Sequence, residues 1–88
     1  MFQKRVTIVN QRGLHARAAA HFSQLAEKFD ADIKVESSGL KVSALSIMGL
    51  MMLAAGPGTE IFITAEGTEA EAGLSALVAL VENRFDEE

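Results

Sequence analysis

Val6, Thr7 and Ile8 alternate apolar and polar along a β-branched run, so residues 2–9 predict a half-buried strand. Asn10-Gln11-Arg12-Gly13 breaks that alternation, and the period then changes. From Ala16 onward Phe22, Leu25, Ala26 and Phe29 fall at i, i+3, i+4 and i+7, the stripe of an amphipathic helix whose opposite face carries Arg17, His21, Gln24 and Lys28. Ile33 and Val35 restore the two-residue period; Ser37-Ser38-Gly39 is a turn signal, and Leu40 and Val42 alternate beyond it, which predicts a hairpin. Ser46 stands where an N-cap belongs, before Ile47-Met48-Gly49-Leu50-Met51-Met52-Leu53, and Gly56-Pro57-Gly58 stops this second helix early. Residues 60–66 alternate again as a fourth strand. Thr68-Glu69-Ala70-Glu71 has the form of a capping box, and Leu74, Leu77, Val78, Val81 and Phe85 carry the longest helical stripe. The order βαββαβα implies an α+β sandwich: a four-stranded, mostly antiparallel sheet with its apolar face covered by three helices.

Composition narrows what such a fold can do. Eighty-eight residues, 49% of them apolar, allow one two-layer core, so residues 1–88 are expected to form a single domain. With no Cys, thiol catalysis, disulfide scaffolds and thiolate metal sites are all excluded. The longest apolar stretch, Ile47 to Ala55, is too short to span a bilayer, and the first residues lack the pattern of a secretory signal. A cytoplasmic protein without membrane insertion is the expectation.

The net charge of -4 argues against a nucleic-acid partner, but its distribution is uneven. Residues 1–44 hold seven Lys and Arg against four acids, whereas residues 45–88 hold Arg84 against eight acids. The first half therefore has the means to handle an anion, unless its charges form only a mixed solvated surface.

His15 lies between the breaker Gly13 and the first helical turn, where the backbone amides of Ala16 and Arg17 have no helical partner and the helix start favours negative charge. Arg17 adds a permanently charged donor fork. A nucleophilic imidazole, free amides and a guanidinium together suit acceptance of a phosphoryl group; the residue types alone fit a surface histidine beside a helix cap better. His21 reads as an ordinary exposed histidine. Six residues from His15, it makes no metal pair, and neither a metal nor a cofactor is expected. Gly56-Pro57-Gly58-Thr59 lacks the lysine of a nucleotide-binding loop, and no acid and base complete a hydrolase triad with Ser43 or Ser46. In the second helix, Leu50 and Leu53 define one face and Met48 and Met52 lie nearly opposite, so a one-sided sheet should leave an apolar, methionine-rich surface exposed unless the helix packs more deeply.

Gly13-Leu14-His15-Ala16-Arg17, Ser46-Ile47-Met48-Gly49-Leu50-Met51 and the strand segment from Gly58 to Gly67 together resemble the HPr family, the histidine phosphocarriers of the bacterial phosphotransferase system. The resemblance covers essentially the whole chain and implies an open-faced sandwich. It also implies that His15 is phosphorylated, with Nδ1 attacking, a choice between the ring nitrogens that the sequence does not make by itself. Arg17 assists, phosphoryl arrives from enzyme I, and it leaves to an enzyme IIA, with the carrier a monomer and not a free-standing enzyme. Ala20, Ile47, Met48 and Met51 match docking positions of the family, and Ser46 matches the serine that HPr kinase/phosphorylase modifies. One departure is Ala18, where the family usually has Pro. The acidic ending Arg84-Phe85-Asp86-Glu87-Glu88 resembles NPr, the nitrogen-branch paralogue, so a regulatory carrier or docking module is the alternative to sugar transport.

Overall fold

The computed structural model describes residues 1–87. Four alternating segments become strands: β1 (Phe2–Thr7), β2 (Asp32–Ser37), β3 (Leu40–Ser43) and β4 (Glu60–Glu66). They form one antiparallel sheet in the order β1-β4-β2-β3. The latest strand in the chain is thus inserted beside the first, with Val6 opposite Ile61 and Val35 opposite Ile63. Because side chains opposed in register share a face, Val6, Ile33, Val35, Ile61, Ile63 and Ala65 all turn inward and are buried. Phe62 stays on the other, open face, where the Arg5 guanidinium lies 5.4 Å from its ring centroid.

Three helices cover the inner face: α1 (Ala16–Ala26), α2 (Ile47–Met52) and α3 (Ala70–Glu82). Phe22 from α1, Leu50 from α2, and Leu77 and Val81 from α3 are fully buried against the sheet in one continuous apolar core. α1 ends before its apolar stripe does; Lys28 and Phe29 bond back to Leu25 and Ala26 in a tightened last turn, which leaves Phe29 half-buried.

Three local details differ from the sequence pattern. Ser37 belongs to β2, where its buried Oγ donates to the Glu60 carbonyl at 3.3 Å, so the hairpin turn is the pair Ser38-Gly39, both at positive φ. No capping box forms at residues 68–71. α3 starts two residues after Thr68, and the Glu69 carboxylate accepts instead from the Asp30 amide at 2.7 Å, tying the start of α3 to the turn after α1. Finally, Phe85 does not continue α3. The helix stops at Asn83, and Arg84, Phe85 and Asp86 take a left-handed turn with φ of 56°, 55° and 62° that folds Phe85 back into the core.

Candidate functional site

The loop from β1 to α1 is held by its own backbone and by its neighbour. Gly13 has φ of +65°, and a Cβ there would collide with the carbonyl oxygen of Ala55 and lie 2.8 Å from the Gly56 Cα; only glycine fits. The next amide, Leu14, donates to the Ala55 carbonyl at 2.9 Å. The buried side chain of Asn10 completes the turn: its Nδ2 donates to the Gly13 carbonyl at 2.9 Å.

This loop delivers His15 to the position just before α1. Its backbone is extended and its side chain caps nothing, so the amides of Ala16 and Arg17 begin the helix with neither a helical partner nor a side-chain acceptor from His15. The ring is only 23% exposed. Nδ1 lies 3.1 Å from the Gly13 carbonyl oxygen, and Nε2 lies 3.4 Å from Oε2 of Glu87. That second approach lacks hydrogen-bond alignment, and both atoms are buried with no other partner.

Arg12 and Arg17 are exposed on either side of His15, and among the described residues no acid lies within ion-pair distance of either. With Arg84 they line an open depression at whose edge His15 sits, and Asp86 and Glu87 line it too. Asp86 faces His21 at 3.8 Å, so His21 is half-exposed and paired at a distance rather than simply free on the solvent face. Ala18 is buried in the first turn of α1.

α2 packs against α1, and the Ser23 hydroxyl of α1 donates to the Leu45 carbonyl ahead of α2 at 3.1 Å. Ser46 is the N-cap that the sequence predicts: its Oγ accepts from the Gly49 amide at 2.9 Å. Leu50 and Leu53 face inward, and Met48 and Met52 are 74% and 66% exposed, with Ile47 and Met51 also open to solvent. The methionine-rich surface therefore exists. Ala20, on α1, is half-buried. The structure thus brings His15 and Arg17 to one depression and places Ser46 and the apolar surface on the adjoining helix.

Asn10 and Glu87 belong to the same site without a pattern to announce them. Asn10 sits in the predicted break and is of the residue type that bonds its own turn, which is a usable signal. Glu87 is 77 residues from Asn10, yet Asn10 Nδ2 donates to Glu87 Oε1 at 3.1 Å. No local periodicity could have shown that.

Residues 2–83 match the family model for the PTS HPr component phosphorylation site. The chain is 46% identical to phosphocarrier protein HPr of Cupriavidus necator over 99% of its length and 98% of that protein's. It is also 46% identical to phosphocarrier protein NPr of Shewanella violacea, over 97% of this chain and 93% of that one. HPr of Thermoanaerobacter tengcongensis has the same fold, with a TM-score of 0.95 at 45% identity over 100% and 99% of the two chains. A dimer of the same organism's HPr superposes with a TM-score of 0.79 at 45% identity, over 99% and 100%. An imidazole set before uncapped helix amides, on this fold and within this match, places the chain in the HPr family of phosphotransferase-system phosphocarriers.

Proposed function

We propose that His15 accepts a phosphoryl group from phosphorylated enzyme I, the group having come from phosphoenolpyruvate, and passes it to an enzyme IIA. The observation that carries this reading is the uncapped start of α1 beside a poorly exposed imidazole, flanked by two arginines with no acid within ion-pair distance among the described residues. Free amides and a guanidinium stabilise the charge that moves onto the site during transfer. An open depression without an enclosed substrate chamber suits a carrier whose partners bring the remainder of the catalytic machinery. The exposed face of α2, with Met48, Met51 and Ile47, supplies an adaptable apolar contact for such partners, and Ala20 borders it from α1. On this reading the protein works as a cytoplasmic monomer and as an intermediate between enzymes; no helix of the described residues is long and apolar enough to cross a membrane.

Ser46 is the proposed point of regulation by HPr kinase/phosphorylase. A phosphate there would load negative charge onto the end of α2 that borders the apolar docking face, weakening transfer from enzyme I. A nitrogen-branch role is the second reading, favoured by the equal identity to an HPr and an NPr and by the acidic Asp86-Glu87 pair.

The test is phosphotransfer from phosphoenolpyruvate through sugar-branch and nitrogen-branch enzyme I offered separately. The expected product is an acid-labile, base-stable phosphate that disappears in His15→Ala, and the faster donor assigns the branch. Labelling that survives His15→Ala would defeat the proposal.

A further inference from the structure

The least relaxed backbone in the molecule stands beside the depression that His15 borders. Arg84, Phe85 and Asp86 take φ of 56°, 55° and 62° in succession, and none of them is glycine. Left-handed backbone in residues with a Cβ costs free energy at each position and persists only where surrounding contacts over-determine it, a situation concentrated at functional sites. Such contacts are present here. Phe85 is buried in the core. The Asp86 amide donates to the Asn83 carbonyl at 3.0 Å, and the Glu87 amide to the Arg84 carbonyl at 2.9 Å.

What this turn displays follows from which of its side chains are already engaged. Asp86 accepts from Asn83 Nδ2 at 2.6 Å and faces His21 at 3.8 Å. Glu87 accepts from Asn10 Nδ2 at 3.1 Å. With Phe85 in the core, the side chain left to act outward is Arg84, which is exposed and has no acid within ion-pair distance among the described residues. It lines the depression together with His15, Arg12 and Arg17. The acids of the turn thus serve its own anchoring, and its arginine carries charge that nothing in the turn neutralises.

We infer that Arg84 is a phosphoryl-binding residue, a guanidinium presented by the left-handed turn to the oxygens of the group carried on His15. The inference rests on the phosphocarrier reading and deepens it. A phosphoryl group offers three acceptor oxygens, and an arginine fork matches two of them at once. The start of α1 supplies its free amides and Arg17 from one element; Arg84 approaches from another. In the step itself a ring nitrogen of His15 forms the bond to phosphorus as the donor's bond to phosphorus breaks, and that electron pair leaves with the donor. Arg84 exchanges no proton and stabilises the charge on the moving oxygens. Because the turn is rigid before the group arrives, no reorganisation is needed at the moment of transfer.

The experiment reads the bound group and the rate separately. Arg84→Asn removes the charge while leaving a residue that tolerates left-handed backbone, so it should unfold at no lower temperature than the unaltered protein. Phosphorylation by enzyme I should fall about tenfold in kcat/KM. Phosphorus-31 NMR of the protein phosphorylated by prolonged incubation should show the phosphoryl group of Arg84→Asn taking up its proton at higher pH than in the unaltered protein, since a cation beside the group favours its dianion. Both effects should persist in high salt, which screens the steering of one protein toward another far more than a direct contact. Arg84→Lys keeps a point charge without the fork and should restore the titration but only part of the rate. Arg5→Gln removes the same charge from the open face of the sheet, where Arg5 lies by Phe62 and Glu60, and should change neither reading. An unchanged phosphorus titration, a rate loss that vanishes in high salt, or an equal loss in Arg5→Gln would overturn the inference. If neither enzyme I labels the unaltered protein, the phosphocarrier reading fails and this inference with it; equal labelling rates of the unaltered protein and Arg84→Asn sink the inference alone.

Discussion

The two helices that meet beside the site begin in opposite ways. α2 starts on Ser46, whose hydroxyl accepts from the Gly49 amide at 2.9 Å and closes the helix end within its own chain. α1 starts on His15, whose side chain turns away to Gly13 and Glu87 and leaves the helix amides unclaimed. A capped start contributes to stability; an uncapped one forgoes that contribution and keeps donors available for something outside the chain. The difference separates a residue that holds the fold from one that awaits a reactant, although both occupy the same formal position.

The comparison can be broken by substitution. The largest effect after loss of His15 itself belongs to Arg17→Ala. Removing a donor from developing phosphoryl charge should lower transfer from enzyme I about a hundredfold in a single-turnover assay, with the melting temperature unmoved because the exposed guanidinium contacts no acid among the described residues. Gly13→Ala should cost at least about 2 kcal/mol in urea unfolding, since it adds left-handed strain to a collision with the Ala55 carbonyl, and transfer should slow with it as His15 is displaced. Ser46→Ala should cost about 1 kcal/mol by the same unfolding measurement and leave transfer within about twofold, the signature of a cap and nothing more. Ser46→Asp sharpens the contrast, because it should retain a capping oxygen while reducing transfer from enzyme I. Equal transfer by the Ser46→Asp and unaltered proteins would remove the regulatory role proposed for that serine.

Much of this molecule is written in short-range pattern. The strands follow from two-residue alternation because one face of the sheet is buried and the other is wet, and register pins Val6, Ile61, Ile63 and Val35 to the same side. His15, Arg17 and Ser46 were legible because helix starts have local chemistry. What pattern did not show arises from contacts distant along the chain. Thr68-Glu69-Ala70-Glu71 has the letters of a capping box, but the helix begins at Ala70 with Glu69 in the N-cap position, so Thr68 stands outside it, and the Glu69 carboxylate is held by the distant Asp30 amide. Phe85 keeps the helical spacing of its predecessors and is buried as the spacing suggests, yet it gets there through a reversed turn rather than a continued helix. Glu87 belongs to an acidic ending with no pattern that places it, and it lies against His15 because that turn brings it there.

The left-handed turn also sets an order of events on warming. Three consecutive non-glycine residues at positive φ each carry roughly 1–2 kcal/mol of backbone strain, and the buried Phe85 ring is the core anchor that offsets it. A terminal segment anchored in the core by one side chain, with its remaining hydrogen bonds near the surface, opens locally well before a sheet with β4 in its interior does. The imidazole should therefore lose its carboxylate neighbour while the sheet is still intact, and a core change beside Phe85, remote from any reacting atom, would first be felt as a disordered His15 rather than as a melted protein.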